Sequence, residues 1–461
     1  MKILNYKFQI LLFILSFLIL TKFNIDPDLG WHLAIGERFL RGGEIVRGDP
    51  FSWTMPGYEF GNYFFLYQIT VSFLFNKLGY ILTAILFGIL VSAGVLLLLP
   101  KTLSFWKVLA GALGVVLASF SLGIRPSTVS FGLFSLLLVL LERRFFSSRM
   151  SILVWFVFFA VWANFHQGFI VGLFVLAMFL VIDFFWQKQK TKDEILFSFF
   201  CILAAFAGSL VTPFHIHLWQ SVLSDLVGSN TWLAVAEYQP LPIYTPVNLL
   251  YAFSGVIFIY TYFKKFMKLE PGWLLLAAAI FTLPILAFNM VIFWTAIFIF
   301  FVTRHLDFDL DLRGNFLTQI ALIFPSLAVF MTIFLVFATS FLVSVNLRRR
   351  FIMDQYPVQA VEFLKKNKLT DGAFNSYGWG GYIDWQAPEI KVFIDGRMTG
   401  WRKADGGYIL SDYMAIQSGD CGLAKRYDIR LVLMKTDFKN DCFWDFREVY
   451  KDQVAKILVK N

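Results

Sequence analysis

Charge is what this sequence has least of. Only 15% of its 461 residues are Asp, Glu, Lys or Arg, against roughly a quarter in an ordinary soluble domain. Hydrophobic residues make up 58% and recur in long runs. Runs of about twenty apolar residues define spans of a polytopic membrane protein. They are continuous rather than alternating, which selects helices over a β-barrel. Cysteine is scarce at three residues, and no C-x-x-C pair occurs, which removes zinc ribbons and dithiol redox chemistry. No G-x-x-x-x-G-K-[ST] run exists for nucleotide hydrolysis, and no G-x-S-x-G for a serine hydrolase. Repeats and low-complexity tracts are missing as well. The net charge of +9 does not point to nucleic acid, because the basic residues lie mostly between apolar runs, where the positive-inside rule puts them.

About eleven spans are expected, near 8–23, 79–99, 105–123, 127–141, 151–166, 168–186, 195–212, 246–263, 272–288, 290–303 and 318–345. The first apolar run follows Lys2 and Lys7 and has no small-residue cleavage site after it, so it reads as an uncleaved helix. Residues 63–78 are read as an aromatic-rich helix on the outer surface, broken at Gly79. Counting them as a span would put Lys101 and Lys107 outside. With the surface helix, Lys2/Lys7, Lys101/Lys107, Arg143/Arg144/Arg149, Lys188/Lys190/Lys192, Lys264/Lys265/Lys268 and Arg304/Arg313 all become cytoplasmic. The outward side then receives a loop from Asn24 to Asn62, the turn at Arg125-Pro126, the turn around His166, and the segment 213–245. It also receives everything after about Val345. Four of the five histidines fall there. Polar, titratable groups gathered at one water–lipid boundary are where a membrane protein keeps a site.

The outward loop opens Asp26-Pro27-Asp28-Leu29-Gly30-Trp31-His32 and continues through Asp49-Pro50-Phe51-Ser52-Trp53. Asp26 and Asp28 form a D-x-D pair stiffened by proline. Such a pair can share a divalent cation, or one carboxylate can act as a base while the other orients its partner. Both also suit the N-terminus of the helix that follows, Gly30 to Leu40. That helix offers Trp31, Leu33, Ile35 and Phe39 to the headgroup region. His32 and Asp49, in the same loop, are candidate substrate contacts.

Arg125 stands at the outer end of a span, where a planar multi-donor cation can anchor to headgroups or clamp the phosphate of a lipid-linked substrate. His166, in a tight hairpin, can pair with a phosphate or carboxylate, or simply turn the chain. His215 and His217 are two apart, with no third metal ligand evident in sequence. His217 and Glu237 belong to a segment that can line a substrate groove.

After about Asn346 the pattern becomes that of a small α/β domain. Pro357 to Lys366 reads as a helix; Ala373 to Tyr377, Lys391 to Ile394 and Arg430 to Leu433 as strands; Arg447 to Lys460 as a hairpin. Cys421 and Cys442 could be oxidised if this part faces outward, but spacing alone does not fix the geometry of a bridge and leaves the pairing open. The stretch Tyr377-Gly378-Trp379-Gly380-Gly381-Tyr382 permits close backbone approach and offers flat rings. Asp395 and Arg397, across a turn at Gly396, pair with each other or with substrate. The domains expected are 1–345, a membrane domain that includes the loop 24–78, and 346–461, an extracytoplasmic α/β domain.

In this order of elements the chain resembles the GT-C superfamily of integral-membrane glycosyltransferases, which includes protein O-mannosyltransferases, aminoarabinose transferases and oligosaccharyltransferase catalytic subunits. The stretches that carry the resemblance are Asp26 to Leu33, Asp49 to Trp53, Arg125-Pro126, Trp162 to Gly168 and Tyr377 to Tyr382. The resemblance implies a sugar donor on a polyprenyl phosphate or diphosphate and an acceptor that is glycan, lipid or protein. It makes Asp28 or Asp26 the base that activates the acceptor, with Arg125 and His166 holding the donor phosphate. A divalent cation between Asp26 and Asp28 stays open, because metal dependence varies within the superfamily. The chain lacks the His-Pro-Pro stretch of mannosyltransferases, and its Tyr-Gly-Trp-Gly-Gly-Tyr only loosely matches the oligosaccharyltransferase Trp-Trp-Asp-Tyr-Gly. Neither acceptor class carries over. Competing readings are a flippase for a lipid-linked saccharide and an O-antigen-type ligase or polymerase. A flippase calls for ionisable groups mid-span, whereas these lie at span ends. A ligase has no need of the early acidic loop.

Overall fold

The structure is a computed structural model that describes residues 6–23, 26–146, 148–186, 191–228, 239–240, 246–264, 271–306 and 355–461. Its contacts divide the chain into two compact units. One comprises Met1–Phe23, Tyr80–Val211 and Trp232–Leu342; the other comprises Asn24–Gly79, Thr212–Thr231 and Val343–Asn461.

The first unit is helical. It holds α1 (Lys7–Leu20), the second half of α3 (Phe65–Leu97), α4 (Phe105–Ala118), α5 (Pro126–Glu142), α6 (Arg149–Phe165), α7 (Phe169–Trp186), α8 (Lys192–Ser209), α10 (Pro246–Lys264), α11 (Pro271–Leu286) and α12 (Val291–His305). Helix α12 is apolar all round, and every residue from Val291 to Thr303 is buried, as such a helix must be. Glycines on α4 admit it: a methyl group on Gly111 would lie 3.4 Å from Thr303, and one on Gly114 would overlap Ile299. Small residues at such crossings let apolar helices pack closely where no hydrophobic force separates protein from lipid. Helices α6 and α8 begin with reciprocal capping boxes at Ser148/Ser151 and Thr191/Glu194, which satisfy backbone donors the helix leaves open.

One end of this unit collects charge. Gln9 Nε2 donates to the Lys101 carbonyl at 2.7 Å. Lys107 Nζ donates to the Arg304 carbonyl at 3.0 Å, and Arg304 Nε to Glu142 at 2.8 Å. Arg144, just past α5, pairs with the buried Asp183 at 2.7 Å. Residues that the charge pattern assigned to one side thus meet at one end.

Among the described residues four helices are long and apolar enough to cross a membrane, and five shorter apolar ones accompany them. The protein is an integral membrane protein with a polytopic helical fold. The expected span at 318–345 lies outside the described residues. Helix α3 is broken at Gly79, whose φ of +73° no helix contains, at the residue where the sequence divides it.

The second unit is mixed. The first half of α3, α2 (Leu29–Gly42) and α9 (Ile216–Gly228) belong to it. So do α13 (Val358–Lys366), α14 (Gly380–Gln386), α15 (Ile409–Gln417), α16 (Cys421–Arg426) and a four-stranded sheet. The sheet order is β1-β2-β4-β3, from β1 (Ala373–Asn375), β2 (Leu431–Lys435), β3 (Phe446–Lys451) and β4 (Ala455–Lys460). Strands β1 and β2 are parallel and the rest antiparallel. The terminal hairpin and the helix after Pro357 stand where the sequence pattern puts them.

The expected strand at Lys391 to Ile394 is a correction. It forms only isolated bridges, from Val392 to Ala373 and to Ser52. Its backbone is divided between two partners. Phe393 N donates to Ala373 and Val392 N to the Phe51 carbonyl, while the Val392 carbonyl accepts from Trp53 N at 3.1 Å. The loop that carries Asp49 to Trp53 therefore extends the sheet edge of the C-terminal segment. A second correction concerns α2. Trp31, Leu33 and Ile35 are buried, and Trp31, Ala34 and Ile35 share a cluster with Val46, Phe51 and Trp385. Their apolar face is covered by protein. Cys421 and Cys442 are disulfide-bonded.

Candidate active site

The acidic turn is built from the backbone outward. Asp26 Oδ1 accepts from Asp28 N at 2.9 Å, and the Asp26 carbonyl accepts from Leu29 N at 3.1 Å. Asp26 thus closes the turn that launches α2, a local role suited to a short acidic side chain. Asp28 occupies the position before the first helical residue, yet its carboxylate makes no capping bond. Its Oδ1 instead accepts from the Trp31 indole nitrogen at 3.1 Å. The bland reading, in which both acids cap the helix, therefore covers Asp26 better than Asp28.

Glycines from the C-terminal segment enclose this turn. The place a side chain on Gly381 would take lies 2.7 Å from the Pro27 carbonyl and 3.1 Å from Trp31 Cδ1. A side chain on Gly396 would overlap Asp28 Oδ1. The Tyr-Gly-Trp-Gly-Gly-Tyr stretch thus serves close backbone approach, as its composition suggested. Tyr356, which no motif flags, borders the cavity that contains Asp26, Tyr382 and Trp385. Its hydroxyl is held above the ordinary tyrosine range, first by burial and then by the charges of Asp26 and Asp28. Pro27 also borders an open groove with Tyr356, Ser376, Gly378, Trp379, Lys435 and Asp437. Nothing lies within 4 Å of a side chain placed on Gly378.

Behind the turn lies a buried charge cluster. Arg397 Nη2 donates to Asp49 Oδ1 at 2.8 Å and to Asp395 Oδ2 at 2.5 Å, and Nε donates to Asp395 Oδ1 at 2.9 Å. Its side chain is 3% exposed and those of Asp49 and Asp395 are 0% exposed, so the three face one another rather than solvent. Burial alone would disfavour the charged guanidinium, but Asp395 and Asp49 more than restore it. Phe51 and Trp401 lie 5.0 and 5.3 Å from the guanidinium, a cation–π setting. Asp49 also accepts from Phe51 N at 3.1 Å and Ser52 N at 2.9 Å, which accounts for the Asp-Pro-Phe-Ser-Trp motif. Asp384, unflagged by sequence, joins the cluster. No donor among the described residues reaches either of its oxygens. Burial first, then Asp395 and Asp49, push its carboxyl well above the carboxylate range despite Arg397. The protonated form of Asp384 is therefore favoured beside Asp395.

His32 is buried against Trp31, Phe64 and Tyr67, with ring centres 3.5 to 4.9 Å away. His217 is exposed, and its Nδ1 meets Gln220 Oε1 at 2.9 Å. Glu237 lies outside the described residues. Arg125 and His166 belong to the other unit. Arg125 precedes the first residue of α5, with Pro126 at its first position. His166 Nδ1 meets Ser130 Oγ at 2.8 Å and accepts from Gly168 N at 3.1 Å. Ser130 Oγ in turn accepts from Trp162 Nε1 at 2.7 Å. Nδ1 is thereby an acceptor, which leaves the ring proton on Nε2. Among the described residues no three His, Cys, Asp or Glu side chains come together in a way that could hold a metal ion. Asp26 and Asp28 would supply at most a small part of the six or more oxygens a hard cation takes.

The fold is similar to that of solved oligosaccharyltransferase structures. Similar solved structures are those of the Archaeoglobus fulgidus oligosaccharyltransferase. The apo form is 13% identical at a TM-score of 0.53, and the form tethered to an acceptor peptide with the NVT sequon is 12% identical at 0.52. A third, archaeal oligosaccharyltransferase AglB in complex with an inhibitory peptide and a dolichol-phosphate, is 13% identical at 0.45. Each comparison covers 94% of this chain and 70% of the other. No family model and no curated protein matches the sequence.

Proposed function

We propose that the chain is a membrane glycosyltransferase that moves a sugar from a polyprenyl-phosphate-linked donor to an acceptor at the extracytoplasmic face. The observation that carries this reading is the Asp28 carboxylate. It stands at a helix start without capping it, in a turn that borders an open groove, in a chain whose fold is similar to that of a solved oligosaccharyltransferase. In the reaction an acceptor hydroxyl gives its proton to Asp28, its oxygen bonds to the anomeric carbon, and the bond from that carbon to the phosphate oxygen breaks. The lipid phosphate leaves with the electron pair and calls for a cation to receive it, for which Arg125 is the candidate, with the neutral His166 a candidate hydrogen-bond donor. A base within hydrogen-bond reach and fixed positive charge on the leaving group are what such a step requires. Asp26 fixes the turn. No step is routed through a metal. The Cys421–Cys442 bridge supports an extracytoplasmic C-terminal segment, since such bridges persist in oxidising compartments.

The test is transfer from radiolabelled polyprenyl-phosphate hexoses in membranes containing the protein. Asp28→Asn abolishes transfer and leaves the protein folded, and Arg125→Ala raises the donor requirement more than the acceptor requirement. Full activity in both Asp26→Asn and Asp28→Asn overturns the assignment of the base.

A further inference from the structure

The buried cluster and the acidic turn meet at one residue, Gly396. Asp395 and Arg397 flank it in sequence, and both are fixed. Asp395 accepts from Arg397 N at 2.8 Å and pairs with its guanidinium, which Asp49 grips from its own loop. The short helix Gly396–Gly400 starts here, and the buried ion triad holds its first turn. The space in front of Gly396 is filled by Asp28 Oδ1, with Asp28 Cγ 3.0 Å and Trp31 Nε1 3.2 Å from where a side chain would begin. The Gly396 backbone and the Trp31 indole thus bracket one oxygen of Asp28.

We propose that Arg397 is a positioning residue: held by Asp49 and Asp395, it sets Gly396 against the Asp28 carboxylate and so fixes the direction in which Asp28 presents its second oxygen. This rests on Asp28 being the base. In this role the cluster acts on Asp28 through Gly396. It explains why an arginine stands here. The planar guanidinium engages Asp395 through Nε and Nη2 and Asp49 through Nη2, a fixed multi-donor geometry that a single ammonium nitrogen does not supply.

Gly396→Ala isolates the claim. Gly396 is not among the residues with positive φ, and the three atoms nearest to an added Cβ are Asp28 Oδ1, Asp28 Cγ and Trp31 Nε1, all side-chain atoms. The expected result is a wild-type melting temperature with about 10²-fold lower kcat, the scale of a roughly 1 Å misplacement of a reacting group. KM for the polyprenyl-phosphate hexose stays unchanged, the acid limb of the kcat/KM pH profile shifts, and a cryo-EM structure shows Asp28 turned away from Trp31. Asp49→Asn, which leaves the Arg397–Asp395 pair in place, lowers kcat in the same direction and less. If Asp28→Asn is inactive while Gly396→Ala keeps wild-type kcat and acid limb, the positioning role is wrong and the base assignment stands. An Asp28→Asn variant with full transfer removes the base assignment itself. A Gly396→Ala structure with Asp28 unmoved overturns the positioning role whatever the activity.

Discussion

Gly30 and Gly381 meet backbone to backbone. A side chain on Gly30 would overlap the Gly381 carbonyl oxygen, and its Cβ would lie 2.8 Å from the nitrogen of Tyr382. Here α2 and α14 approach more closely than any Cβ allows. The obstacle is backbone, which cannot rotate aside, so Gly30→Ala must separate the two helices. Overpacking of this kind costs about 1–3 kcal/mol. We expect a lower melting temperature in detergent, and a melting temperature equal to wild type would show that the contact yields freely. The contrast with Gly396, where only a side-chain end blocks the way, is what makes Gly396→Ala a functional rather than a stability probe.

Burial of Asp384 beside Asp395 and Asp49 predicts a pH dependence of the second unit's stability. The folded-state pKa of Asp384 is raised, so the folded protein binds more protons than the unfolded chain above the ordinary carboxylate value. The contribution is fully present below that value and is lost as pH rises toward the folded pKa. Asp384→Asn keeps a neutral side chain of the same shape, with N–H groups that can donate to Asp395. The variant should lose less stability than wild type over the pH interval that rises from the ordinary carboxylate value. Thermal melts across that interval check this, and parallel curves would mean that Asp384 ionises normally.

The proposed orientation makes a labelling prediction. Glu44, in the outward loop, and Lys101, at the charged end of the helical unit, are both exposed. The native cysteines do not compete, since Cys201 is buried and the other two are bridged. With a membrane-impermeant maleimide on intact cells, Glu44→Cys reacts and Lys101→Cys does not. The opposite pattern reverses the orientation.

Much of this was legible before any coordinates. The shortage of charge and the continuous apolar runs specify membrane helices, because buried backbone in lipid must satisfy itself. Gly79 announces a break, the terminal hairpin follows from alternation, and the Asp-Pro-Asp turn marks its own position. What sequence could not supply were relations between distant residues. Lys391 to Ile394 has the composition of a strand, yet its pairing is shared between β1 and the Phe51–Trp53 segment, and only their proximity decides that.

The sequence by itself determined which segments are apolar, where the turns fall, and that Asp26 and Asp28 stand one proline apart. These are local properties of side chains and backbone. The tertiary structure decided what the local pattern leaves open. It put the apolar face of α2 against protein and used the Asp26 carboxylate to close the turn. It turned Asp28 toward Trp31, and it buried Arg397 between acids from opposite parts of the chain. Each of these depends on which distant backbone comes within contact, a matter of packing geometry that no single stretch encodes.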